Sequence, residues 1–235
     1  MAGDEDPSPS EEEIWRQHHG FRLAGQDFGR ILALSDGVFA FAMTLLVISL
    51  VVPTTYKGAG ITTSHILALA LLRDYGAILG FIFAFVMIGV WWIVHNRTFQ
   101  YIARYDSGLI WINMAILVQI SIMPFVMGVY NSYSDLQPAV VFFAGLQVTL
   151  GLTNLVLWEY ADRMGLLRKG IPNGISDYYT KRGLLVAAVF AISIGVSFYS
   201  VPLAELTWIG IFLSQRLITH RPEESRKGDP ASGAG

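Results

Sequence analysis

No stretch of this chain constrains its fold more than Arg30 to Pro53, RILALSDGVFAFAMTLLVISLVVP. It is apolar for long enough to cross a bilayer, which takes about 20 residues of helix. Yet Ser35 and Asp36 stand near its start. An acid inside a membrane span costs about 2.5–3.5 kcal/mol on insertion scales, so a fold that keeps Asp36 there must supply partners for it. Comparable apolar runs follow at 75–95, 108–130, 138–158 and 183–200, and a shorter one at 202–217 carries Glu205. In lipid a segment has to satisfy its own backbone hydrogen bonds. The runs therefore predict an all-α polytopic membrane protein with six transmembrane helices. The SDG pattern of the first run is not duplicated, so one chain carries one six-helix unit. Pro124, inside the third run, predicts a kink.

Only 14% of the residues are charged and the mean hydropathy is +0.49, against about 25% charged in a soluble domain. The formal net charge of −2 gives no reason to expect a nucleic-acid partner. The absence of cysteine excludes disulfides, thiolate metal sites and thiol catalysis. Residues 1–26 read as a cytoplasmic N-terminal tail, 27–217 as the membrane domain and 218–235 as a cytoplasmic C-terminal tail. The first apolar run begins too late and runs too long for a signal peptide, and reads as the first anchor. Trp15, Phe21 and Phe28, with Arg16, Arg22 and Arg30, suit the headgroup layer. The acidic residues of the tail, Glu11 to Glu13 among them, read as a solvated face, and a role in gathering cations near a mouth is the other reading. With six spans, fourteen of the sixteen Lys and Arg lie on the side of the two termini, and only Lys57 and Arg73 lie opposite. The positive-inside rule then places both termini in the cytoplasm, in a multi-pass protein of the plasma membrane.

Within the first span Leu34, Val38, Phe41, Leu45 and Ile48 share one helical face, with Thr44 at its edge. Ser35 and Asp36 fall on the flank and rear. Such a stripe serves lipid contact, helix packing or, in a symmetric oligomer, convergence on an axis. There, rings of Phe41, Leu45 and Ile48 would form dewetting constrictions, and Thr44 would offer oxygen unless it bonds back to its own helix. The second span ends WWIVHNRTF, and an antiparallel neighbour would bring Trp92, His95 or Arg97 to Asp36. Asn113 of the third span lies at similar depth.

No catalytic triad, metal cluster or phosphate loop is present, so no enzyme is expected. Ser35 and Asp36 are adjacent on a helix and do not face each other. The His18–His19 pair is a weak metal lead on a tail. A secondary transporter is a competing class, kept open by Pro124, although transporters tend to show repeats and broken helices. A scaffold without transport is another.

Arg30-x-x-x-Leu34-Ser35-Asp36-Gly37, followed by VFAFAMTLLV, resembles the RxxxFSD signature of the lysosomal-type potassium channel family. The second-span Trp92, His95, Arg97 and Phe99, and Asn113 and Pro124 in the third, are similar too. The resemblance implies a potassium-permeable channel without a TVGYG filter. Bacterial members of the family are homotetramers with the first helix around a central pore, so the expected partners are further copies of the chain, the lipid bilayer and K+ as transported ion, with no cofactor. Phe41, Thr44, Leu45 and Ile48 then map to the constriction, and Arg30, Ser35, Asp36, Trp92, His95 and Asn113 to the motif and the network that holds the pore helix. Leu34 departs from the family's Phe and Phe41 from its Ile or Leu. A proton-permeable channel is an alternative activity.

Overall fold

The computed structural model describes residues 26–50, 63–73, 75–171 and 173–208. Its helices are α1 (Gln26–Leu45), which tightens into a 3-10 turn at Leu46–Ser49, α2 (Thr63–Arg73), α3 (Tyr75–Tyr101), α4 (Ser107–Ser132), α5 (Gln137–Arg163), α6 (Asn173–Ser197) and α7 (201–208). Five of them, α1 and α3 to α6, are long and apolar enough to cross a membrane. The N-terminal tail, Pro53, the C-terminal tail and residues 209–217 of the expected sixth span lie outside the described residues.

The helix ends follow from local chemistry. Asp106 caps α4, accepting from the Leu109 N–H at 2.8 Å with one carboxylate oxygen and from the Tyr160 hydroxyl at 2.8 Å with the other. A capping carboxylate of this kind satisfies a donor that the helix cannot. The same contact explains Gly108, where a Cβ would collide with the Tyr160 hydroxyl. Pro138 lies in the first turn of α5, where its missing N–H costs nothing. Pro124 sits inside α4, which nevertheless runs as one helix to Ser132.

Two helices approach closely through small residues. A Cβ on Gly151 of α5 would lie 3.3 Å from the Ala187 backbone nitrogen of α6, and one on Gly183 would lie 3.2 Å from Leu155 Cβ. Close backbone approach replaces the hydrophobic drive that lipid cannot supply. Elsewhere the core is aromatic. Phe143 is wholly buried, with its ring 4.9 Å from Trp208, 5.2 Å from Tyr130 and 6.0 Å from Phe83. Helix α7 is tied into this cluster: Trp208 donates to Ser193, Ser193 to the Ala204 carbonyl, and the Tyr130 hydroxyl to Glu205 at 2.6 Å.

Two elements differ from the expectation. Helix α2 is an added one, on TSHILALALLR between the first two spans. Helix α6 starts ten residues before the apolar run at 183, on the polar segment NGISDYYTKR. Tertiary bonds hold that extension, since Trp158 donates to Ser176, Ser176 to Asp162 and Thr180 to Glu159. The Trp158 and Tyr179 rings stack at 4.3 Å.

Candidate functional site

The rear of α1 is the side that packs. Ser35, Phe39, Ala42 and Leu46 are all buried there, one turn apart, against α3 and α4. Three polar side chains meet at this contact. Asn113 of α4 donates to Ser35 Oγ at 3.1 Å, and Ser35 passes its own hydrogen to the Ile31 carbonyl at 3.0 Å. His95 Nε2 of α3 lies 2.8 Å from Asn113 Oδ1. With that oxygen as acceptor, Nε2 carries the hydrogen. Ser35 and Asn113 are 0% exposed and His95 2%, so no solvent would replace a lost partner. The His95 ring sits between Phe39, at 5.4 Å, and Phe99, stacked at 4.4 Å. Of the donors open to Asp36, Trp92 is the one that bonds it, Nε1 to Oδ1 at 2.8 Å. That bond lies on the exposed flank of α1. Arg97 is exposed and makes no bond to Asp36.

The front of α1 is open. Arg30, Leu34, Gly37, Phe41, Thr44 and Ile48, at alternating steps of four and three residues, are all exposed in the single chain, and Ala33, Asp36, Ala40 and Val47 beside them are exposed as well. That spacing is a heptad seam, which keeps one face of a helix turned toward a common axis. Phe41 is 65% and Ile48 73% exposed. Val38 and Leu45, expected on this stripe, are half-buried at its edge. The stripe is thus turned toward Gly37 and Thr44. A helical wheel does not say which apolar side faces the protein, and Phe39 and Phe41 are identical in sequence terms. The anchored rear at Ser35 decides the matter. Thr44 donates its hydroxyl hydrogen to the Phe41 carbonyl at 2.8 Å, which leaves the exposed Thr44 oxygen free to accept. Gly37 has no atom within 4 Å of a Cβ placed on it, so packing within the chain does not require a glycine there.

Other polar groups in the spans were not singled out from the sequence. Trp91 donates to Gln147 Oε1 at 2.7 Å, deep between α3 and α5, and Gln119 donates to Thr153 at 2.9 Å. The amides were visible as polar residues in apolar runs, but their partners are far away in the chain.

Residues 30–124 match the sequence model of the family described as endosomal/lysosomal potassium channel TMEM175. A potassium channel of Chamaesiphon minutus is 31% identical over 74% of this chain and 85% of its own length. A potassium channel of Streptomyces collinus is 28% identical over 74% and 84%. The crystal structure of a lysosomal potassium-selective channel TMEM175 homolog from Chamaesiphon minutus superposes with a TM-score of 0.65 at 28% identity, covering 82% of this chain and 98% of that one. These relatives are ion channels, not enzymes. The all-helical architecture, the several membrane spans and the extent of the match together make this chain a multi-pass membrane protein that belongs to the TMEM175 family.

Proposed function

We propose that the protein is a potassium-permeable cation channel in which four copies place α1 around a central pore, with both termini cytoplasmic. One observation carries the reading. The front of α1 is exposed from Arg30 to Ile48 on a heptad seam, while its rear is fixed by buried hydrogen bonds to α3 and α4. A helix held so firmly behind, with a bulky apolar face that its own chain leaves uncovered, is suited to pack against copies of itself. The names of its relatives supply the ion.

In such an assembly Phe41 and Ile48 form two apolar rings, and Thr44 lies between them with Leu45 at the edge. Apolar rings close a pore to water without a plug. The Thr44 oxygens stand where a dehydrating cation needs a ligand, and the faces of the Phe41 rings attract cations. Asp36 and the Ser35–Asn113–His95 chain hold the helix and stay out of the ion's path.

The test is reconstitution of the purified chain in liposomes with a potassium/sodium gradient. The reversal potential is expected to move toward the potassium potential, and crosslinking to trap a tetramer. A folded oligomer that passes no cation under any gradient would sink the channel reading.

A further inference from the structure

At the end of the bundle opposite Tyr130, two loops are fastened together by main-chain bonds. Ile102, after α3, pairs antiparallel with Leu167, between α5 and α6. The N–H groups of Ala103 and Arg104 both donate to the Leu166 carbonyl, at 2.8 and 3.2 Å, and the Arg168 N–H donates to the Tyr101 carbonyl at 2.9 Å. Gly165 and Gly170 take positive φ, 63° and 86°, and so bend the chain back onto the first loop, a conformation that side chains resist. The inner side of this clasp is apolar: Ile102 is buried, and Leu166 and Leu167 pack against the core. Arg104, Arg168 and Lys169, on these same two joined loops, are all exposed.

None of these three cations has an acidic partner among the described residues. The carboxylates whose contacts are described at this end, Asp106, Glu159, Asp162 and Asp177, are engaged elsewhere. Asp106 caps α4 and holds Tyr160, and Asp162 accepts from Ser176. Glu159 holds Arg163 and Thr180, and Asp177 pairs with Lys181. Orientation in a membrane asks only for a count of positive charges on one side. It does not ask that the two loops that carry these charges be joined by main-chain bonds, nor that the described acids nearby be occupied. Exposed Met164 adds apolar surface on the second of these loops.

We propose that the clasp of Arg104, Arg168 and Lys169 binds the phosphate of an anionic phospholipid headgroup in the adjacent leaflet. Guanidinium groups match phosphate oxygens in paired, charge-assisted hydrogen bonds. Each cation near such a surface strengthens the attraction, and salt weakens it. The inference is independent of the pore.

The full-length protein is placed in nanodiscs of phosphatidylcholine with a minor share of phosphatidylglycerol, extracted in mild detergent, and its retained lipid is weighed by mass spectrometry. Phosphatidylglycerol is expected to be enriched over the bulk ratio by roughly fivefold or more. Arg104→Gln with Arg168→Gln and Lys169→Gln should abolish the enrichment. Arg163→Gln with Lys181→Gln, at the same end but already ion-paired, should keep it. Arg168→Gln alone, together with a salt titration of the wild type, covers the case in which the triple variant does not fold, and each should lower retention. Enrichment that survives in the clasp variants, or falls equally in the paired-cation control, overturns the proposal. Inorganic phosphate that displaces phosphatidylglycerol at low millimolar concentration would overturn the lipid assignment in favour of a free-phosphate site.

Discussion

Asn113 bridges Ser35 and His95, donating to one at 3.1 Å and facing the other with its amide oxygen at 2.8 Å. One side chain thereby ties α4 to both α1 and α3. All three residues are sealed from solvent, and a buried group that loses its partner keeps the full cost of desolvation.

Asn113→Leu is therefore expected to lower the stability of the folded protein by about 1–3 kcal/mol, read as a lower melting temperature and a smaller assembled fraction in detergent. An unchanged melting curve would show that the bridge contributes nothing. Trp92→Phe, which removes the donor to Asp36 on the exposed flank, should cost less, about 0.5–1.5 kcal/mol.

The exposed seam makes a prediction that separates two helical faces. Phe41→Ala should raise single-channel conductance, and Gly37→Val, which adds bulk one turn away on the same seam, should reduce it. Val38→Ala, half-buried at the edge, should leave permeation unchanged and cost about 1 kcal/mol of stability. Equal effects of Gly37→Val and Val38→Ala on current would mean that the seam does not face the ion.

Thr44→Val keeps the volume of the side chain and deletes its oxygen. Assembly should persist while the preference for potassium over sodium falls, visible as a smaller reversal-potential shift. A preserved shift would remove Thr44 from the set of ion ligands.

Gly108→Ala tests the helix junction. The added methyl meets the Tyr160 hydroxyl, so either the Asp106–Tyr160 bond breaks or α4 and α5 move apart. Overpacking of this kind costs about 1–3 kcal/mol, measurable by thermal unfolding. Tyr160→Phe in the same chain should recover part of that loss, because it removes the nearer of the two clashing atoms and leaves only the ring carbon Cζ in the way.

Much of this architecture could be read from the chain. The runs at 75–95, 108–130 and 138–158 lie inside α3, α4 and α5, because uninterrupted apolar length leaves helix as the only solution in lipid. Trp92 was legible as a partner for Asp36 because antiparallel neighbours bring their ends to one depth. The orientation of α1 was legible only through the polar pair Ser35 and Asp36 set away from the Phe41 stripe, since Phe39 and Phe41 by themselves differ only in what the rest of the fold puts behind them. The first turns of α6 were hidden because Ser176 and Thr180 are stabilised by Asp162 and Glu159, contacts outside any local pattern. Helix α2 was hidden by its brevity.

The 3-10 turn at Leu46–Ser49 winds the end of α1 more tightly than the rest. Each of its residues advances about 0.5 Å further and turns about 20° more than in an α-helix. Letting these residues relax to α geometry would carry Ile48 back by more than an ångström and swing it roughly 60° about the helix axis. Phe41 and the bonded rear at Ser35 would stay where they are. The helix thus ends in a short screw thread, and a small untwisting there would re-aim Ile48 without moving Phe41; in the proposed assembly that would change one ring and leave the other in place.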